Sequence, residues 1–107
     1  MKTIKIGNKN IGVDKPVFFI AEAGVNHNGS LKIALRMVDV AKKAGADAIK
    51  FQTFKTSNLI LPNAPKSKYH IETTGNDKKQ TWFDLLKTQE LSYQMHKRII
   101  EHCKKRE

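Results

Sequence analysis

An unbroken apolar run, an amphipathic helical stretch and a second short apolar run follow one another between Val17 and Gln52. That order restricts the fold more than any other feature of the chain. Pro16 introduces Val17-Phe18-Phe19-Ile20-Ala21, a run typical of a strand covered on both faces in a parallel sheet. A loop dense in Gly and Asn comes next, Glu22-Ala23-Gly24-Val25-Asn26-His27-Asn28-Gly29, and Ser30 stands where a helix N-cap belongs. Leu31, Ala34, Leu35, Val38 and Ala41 then recur at helical spacing, with Met37, Val40 and Ala44 widening the apolar face. Lys42 and Lys43 suit the negative end of the helix dipole, and Gly45 is placed to end the helix. Asp47-Ala48-Ile49-Lys50-Phe51-Gln52 reads as the second strand. Strand, crossover helix and strand within this length make one βαβ unit, the building block of parallel α/β sheets.

The flanks are read in the same way. Thr3 to Ile6 alternates polar and apolar, Gly7-Asn8-Lys9-Asn10 supplies turn chemistry, and Ile11 to Val13 resumes, so a small hairpin leads the chain. From Thr53 to about Gln80 runs a long segment holding Pro62, Pro65 and Gly75. Loops of this length inside compact domains are usually functional or disordered. Thr81 with Asp84 forms a capping-box pattern for a helix through Leu91, and Ser92 caps a last helix stacking Met95, Ile99 and Cys103. Trp82 and Phe83 are expected in core packing.

Composition narrows the class. At 107 residues and 39% hydrophobic, the chain has the length of one small domain and the apolar content for a modest core. Its single cysteine, Cys103, cannot pair within the chain, which suits a reducing compartment. Neither a signal-peptide run nor a membrane-length apolar stretch is present, so a cytoplasmic location without membrane contact is expected. The net charge of +10 is compatible with a polyanion partner, with an acidic remainder of a longer polypeptide, or with a phosphate-bearing substrate. Only Lys104-Lys105-Arg106 is a tight cationic run, and no nucleic-acid-binding motif or aromatic interleaving accompanies the charge, so nucleic acid is not expected.

Side chains alternate along strands, so Lys50 and Gln52 share a face if Ile49 and Phe51 face the helices. Glu22 shares its face with Ile20 and Phe18 on the first strand, and the three polar groups then converge at one end of the sheet. A cation beside an amide donor suits phosphate or carboxylate, and a facing carboxylate can serve as acid, base or hydrogen-bond acceptor. The plainer reading is that Lys50 snorkels from a strand end and Gln52 merely begins the loop. For Asn26 and His27 two readings likewise stand: a ligand-facing loop, or a βα turn in which Gly24 and Gly29 solve backbone geometry. His70, His96 and His102 show no metal-ligand spacing with one another or with Cys103.

Several of these segments together carry a family resemblance. Phe19 to Ser30 (FIAEAGVNHNGS) and Ala44 to Lys55 (AGADAIKFQTFK) resemble the first and second strand regions of the N-acetylneuraminate (sialic acid) synthase family, which includes legionaminic acid synthase-type enzymes. The resemblance continues through Ala64-Pro65-Lys66, Tyr69 and Thr74-Gly75 to Glu90-Leu91-Ser92. It implies that residues 1–107 are the N-terminal part of a TIM (β/α)₈ barrel, about two βα units after a leading hairpin, where a whole barrel takes ~250 residues. The remaining strands and a C-terminal antifreeze-like domain would lie outside the chain. The implied reaction condenses phosphoenolpyruvate with an N-acylated aminohexose, N-acetylmannosamine or a diacetylated analogue, giving a nonulosonic acid and phosphate. By the resemblance Lys50 and Gln52 match phosphoenolpyruvate-binding positions and Glu22 an active-site carboxylate, while Asn26, His27 and Tyr69 are candidate loop contacts. A divalent metal, Mn²⁺ or Mg²⁺, is implied, its ligands lying on later strands and none in this chain, and full-length relatives are expected to be homodimers. The chain alone is expected to be inactive, marginally stable and prone to aggregate. The rival readings are a basic module for polyanions and a structural piece that completes a barrel with another chain.

Overall fold

The computed structural model describes residues 2–62 and 81–106. The expected contacts of Tyr69 and the positions of His70, Pro65 and Gly75 lie outside the described residues.

The leading hairpin is β1 (Ile4–Ile6) and β2 (Lys9–Ile11), antiparallel with Ile4 opposite Ile11 and Ile6 opposite Lys9. Gly7, at φ +59°, opens the two-residue turn, a conformation that primed hairpin turns demand and that glycine adopts without a Cβ penalty. Two parallel strands follow, β3 (Ile20–Gly24) and β4 (Ala48–Phe51), crossed over by α1 (Leu31–Lys43). The βαβ unit read from the sequence is therefore present, in an α/β chain.

The first strand starts later than its apolar run. The register opens at Ile20 opposite Ala48, so residues 17–19 have no ladder partner on β4. Phe19 marks the entry: its C=O accepts from the amides of Asp47 and Ala48, and its N–H donates to Asp47 Oδ2 at 2.9 Å. The two faces of the strand pair differ among the described residues. Ile49 and Phe51 pack against the helices, whereas Val17 is 71% exposed and Ile20 58%, because no second layer covers the other face among the described residues.

Helix α1 begins and ends where its residues dictate. Ser30 Oγ accepts from the Ile33 amide at 3.3 Å, and Gly45, at φ +89°, follows the C-cap Ala44. The segment after β4, read as structureless, holds a short helix α2 (Thr56–Leu59). Thr81 and Asp84 close a reciprocal capping box on α3 (Trp82–Lys87), whose N-cap hydroxyl and N3 carboxylate each satisfy an otherwise orphaned amide. This helix ends short of Leu91: Thr88 Oγ1 donates to the Leu85 carbonyl at 2.6 Å, a local bond that competes with helix continuation. Ser92 then caps α4 (Tyr93–Lys105), accepting from the Met95 amide at 3.2 Å.

The core lies where α1 and α4 meet over the sheet. Ala34 (wholly buried), Val38, Leu91 and Ile99 form its centre, with Leu31, Leu35, Ile49, Phe51, Met95 and Cys103 packed around them. The small side chain of Ala34 permits close approach of α4, and the expected stack of Met95, Ile99 and Cys103 faces this seam. Trp82 and Phe83 are half-buried.

Candidate functional site

The C-terminal ends of β3 and β4 bring two of the sequence-derived candidates face to face. Parallel register sets Glu22 directly opposite Lys50, and Lys50 Nζ lies 3.1 Å from Glu22 Oε2. Both side chains are more than half exposed, so the pair is a weak structural element and an accessible chemical one. Gln52, exposed, leaves β4 with its N–H donating to the Gly24 carbonyl at 3.2 Å. A cation, a carboxylate and an amide thus stand at the mouth of two adjacent strands.

The backbone explains why Glu22 has this freedom. The ladder is irregular between Glu22 and Gly24, and Gly24 sits at φ +55°. A Cβ at Gly24 would meet Glu22 Oε1 only at ordinary contact distance, 3.4 Å, so it is the left-handed backbone of the turn that favours glycine here. The loop then advances by successive turns, with amide-to-carbonyl bonds from Asn26 to Ala23, Asn28 to Val25 and Ser30 to His27.

Asn26 is exposed on this loop and His27 is wholly buried beneath it. The His27 Nδ1 accepts the Gly29 amide at 2.9 Å, which makes Nδ1 the unprotonated ring nitrogen of a neutral imidazole. Its ring is tilted against Phe51, with centroids 6.1 Å apart. Burial first, and the neighbouring His96 second, hold the His27 pKa below its ordinary 6.5. The Nε2 atoms of His27 and His96 are both buried without a hydrogen-bond partner in the structure. Of the two readings of this loop, the geometry of His27 is that of a turn-stabilising side chain, and Asn26 keeps a free surface.

Sequence reasoning missed Glu90. Its Oε1 accepts the Thr56 amide at 2.5 Å and its Oε2 lies 3.2 Å from Lys87 Nζ. Hydrogen bonding from Thr56 above all, with a lesser contribution from the Lys87 ammonium, brings its pKa down to about 2, while burial pushes the other way. The signal was faint: Glu90 opens Glu90-Leu91-Ser92, a stretch used only as a point of family likeness. Gly29 packs at the same junction. A Cβ there would stand 2.2 Å from the Thr88 carbonyl oxygen, inside any permitted contact, and its φ of +76° also favours glycine.

Elsewhere, His102 Nε2 and Arg106 Nε approach Asp39 Oδ1 at 2.8 and 2.7 Å, tying α4 to α1. Cys103 is a half-buried free thiol whose pKa burial raises. Among the described residues no three His, Cys, Asp or Glu side chains gather into a metal-ligand set. No helix among them is long and apolar enough to cross a membrane.

Comparison with known proteins places the chain in a family. The NeuB family model matches residues 37–107. The chain is 44% identical over 91 residues to the N,N'-diacetyllegionaminic acid synthase of Campylobacter jejuni, covering 85% of this chain and 27% of that protein. It is 43% identical over 98 residues to the pseudaminic acid synthase of the same organism, covering 92% of this chain and again 27% of the relative. Among solved structures, the N-acetylneuraminic acid (sialic acid) synthetase of Leptospira borgpetersenii superposes with a TM-score of 0.72 at 36% identity, over 98% of this chain and 31% of that one. The chain thus spans about a quarter of the length of the curated relatives it matches. With the family model matching residues 37–107 and relatives 44% and 43% identical over 85% and 92% of the chain, the chain belongs to the NeuB family.

Proposed function

We propose that this chain supplies the phosphoenolpyruvate-binding mouth of a nonulosonic acid synthase. In that reaction C3 of phosphoenolpyruvate forms a C–C bond to the aldehyde carbon of an N-acylated aminohexose, water adds at C2, and phosphate leaves by cleavage of the C2–O bond. The reading places β3 and β4 as the first two strands of a (β/α)₈ barrel, whose active sites lie at the C-terminal ends of the strands. The observation that carries it is the pairing of Glu22 with Lys50 across adjacent parallel strands at that end, Gln52 beside them.

Each side chain has a role its chemistry allows. The Lys50 ammonium offers charge to the phosphate or carboxylate of phosphoenolpyruvate, and Gln52 offers an amide donor alongside. Before the ligand arrives, Glu22 holds Lys50 oriented toward the mouth. Once an anion takes the ammonium, the Glu22 carboxylate is left to accept a hydrogen bond from the sugar or to orient the reacting carbon. The divalent metal of the implied chemistry activates the sugar aldehyde when bound. Among the described residues no three potential ligands gather into a donor set for it, and no step here depends on it.

The test is a titration of phosphoenolpyruvate into the chain, followed at the backbone amides, with Lys50→Ala and Glu22→Gln alongside. Shifts centred on residues 22, 50 and 52 that vanish in Lys50→Ala are expected, with Glu22→Gln retaining the anion. Shifts spread over the lysine-rich surface, abolished by salt and indifferent to Lys50, would instead point to a polyanion module, the reading that the net charge of +10 favours. Phosphate release with N-acetylmannosamine or a diacetylated hexose, after joining the chain to the remaining length of a relative, then tests the full reaction.

A further inference from the structure

The loop that leaves β4 is held at both ends. Its first residue, Gln52, donates its N–H to Gly24 at 3.2 Å, and four positions on, the Thr56 amide is bound by Glu90 at 2.5 Å. Thr56 is wholly buried, so removing the acceptor leaves its amide unpaired, and the amide regains a partner only when the loop opens to water. Glu90 itself is only 19% exposed and reaches across 34 positions of sequence to make the bond. Four residues span at most ~14 Å when extended, so pinning both amides leaves the backbone between them little freedom. The same junction backs the other loop of the mouth, since Gly29 packs against the Thr88 carbonyl too closely to admit a Cβ.

We propose that Glu90 is a positioning residue for the strand mouth: its carboxylate fixes the loop leaving β4, and with it Gln52, while the Thr88–Glu90 junction supports the loop leaving β3. The ligand in this proposal rests on the phosphoenolpyruvate reading above, whereas the clamp rests on the Glu90–Thr56 geometry alone. Glu90 stands one layer behind Gln52, acting through Thr56, and does not touch the ligand. The strong acidity of its carboxyl, with a pKa near 2, keeps the acceptor charged through the physiological range.

The experiment uses the whole 107-residue chain, labelled for amide detection, as wild type, Glu90→Ala and Glu90→Gln. Hydrogen exchange reads the clamp, and phosphoenolpyruvate titration reads the mouth. Glu90→Ala should speed exchange at Lys55 and Thr56 by about tenfold or more, as loss of a hydrogen bond to a charged acceptor implies, with the α1 amides unchanged. Glu90→Gln keeps an oxygen acceptor and should recover most of that protection. Affinity for phosphoenolpyruvate should weaken several-fold in Glu90→Ala and return in Glu90→Gln. Exchange that rises equally in α1 and the loop would mark a general stabiliser and overturn the proposal. So would a loosened loop with unaltered affinity, or a loop that does not loosen at all. A wild-type chain that ignores phosphoenolpyruvate would sink the substrate reading instead; acceleration confined to the loop would then still establish the clamp, and its absence would refute it.

Discussion

His27 is a residue whose type suggests chemistry and whose position gives it a structural task. Being wholly buried with a depressed pKa, it stays neutral in the fold, while in the unfolded chain it takes up a proton near its ordinary value of 6.5. The unfolded state therefore binds more protons as pH falls, and the sign of the linkage follows: stability is fully present above pH 6.5 and declines below it until the folded ring also titrates. Urea midpoints measured at about pH 7.5 and about pH 5.5 should drop in the wild type and drop less in His27→Asn, which cannot titrate. Equal drops in both proteins would place the acid sensitivity elsewhere. At the same scale, Lys50 and Glu22 were legible as partners from strand alternation, because a period of two assigns faces without knowledge of the fold. Their direct opposition was not legible, since it depends on the register of two strands 28 positions apart.

Helices α1 and α4 show which forces join the elements. Two kinds of contact link them: the apolar seam of Ala34, Val38 and Ile99, and the polar bridge from Asp39 to His102 and Arg106. The bridge lies at the surface, where exposed pairs contribute little because water and salt screen them. The seam is buried, so truncation there loses both transfer free energy and packing. Ile99→Ala should cost about 2–5 kcal/mol in urea unfolding, well above the loss in Asp39→Ala. The reverse order would mean that the bridge, and not the seam, docks α4. Element boundaries in this part of the chain were legible wherever a cap is local. Ser30, Thr81 and Ser92 each bond an amide three positions on, so the signal and its effect share one turn of chain. The end of α3 and the existence of α2 escaped notice, because one rests on a side-chain bond of Thr88 and the other is tied to a distant glutamate.

At the scale of the molecule, helix α1 has more apolar surface than its described neighbours cover. One face meets α4; the other, carrying Ile33, Met37 and Val40, borders a groove of about 470 Å³ against Ala21 and Ala23 of β3. Glu22 and Asn26 edge this groove, and Ile33 and Val40 remain 42% and 59% exposed. Beside it β3 pairs only with β4 among the described residues, and an unpaired parallel edge with an adjoining apolar groove favours association. Light scattering should therefore show concentration-dependent self-association, reduced by Ile33→Glu with Val40→Lys; a monodisperse wild type across the same range would show the face to be inert. The apolar widening of α1 by Met37, Val40 and Ala44 was visible in its spacing, but which arc is covered was not. What the residues determine by themselves is local: the caps, the Gly7 turn, the amphipathic period and the alternating faces of β3 and β4, each set by bonds or sterics within a few positions. Only the tertiary structure decides that Glu22 meets Lys50, that His27 lies inside and that Glu90 holds Thr56. Those contacts join segments whose separation along the chain carries no local signal, and they arise only when the register of the sheet and the packing of α4 bring the segments together.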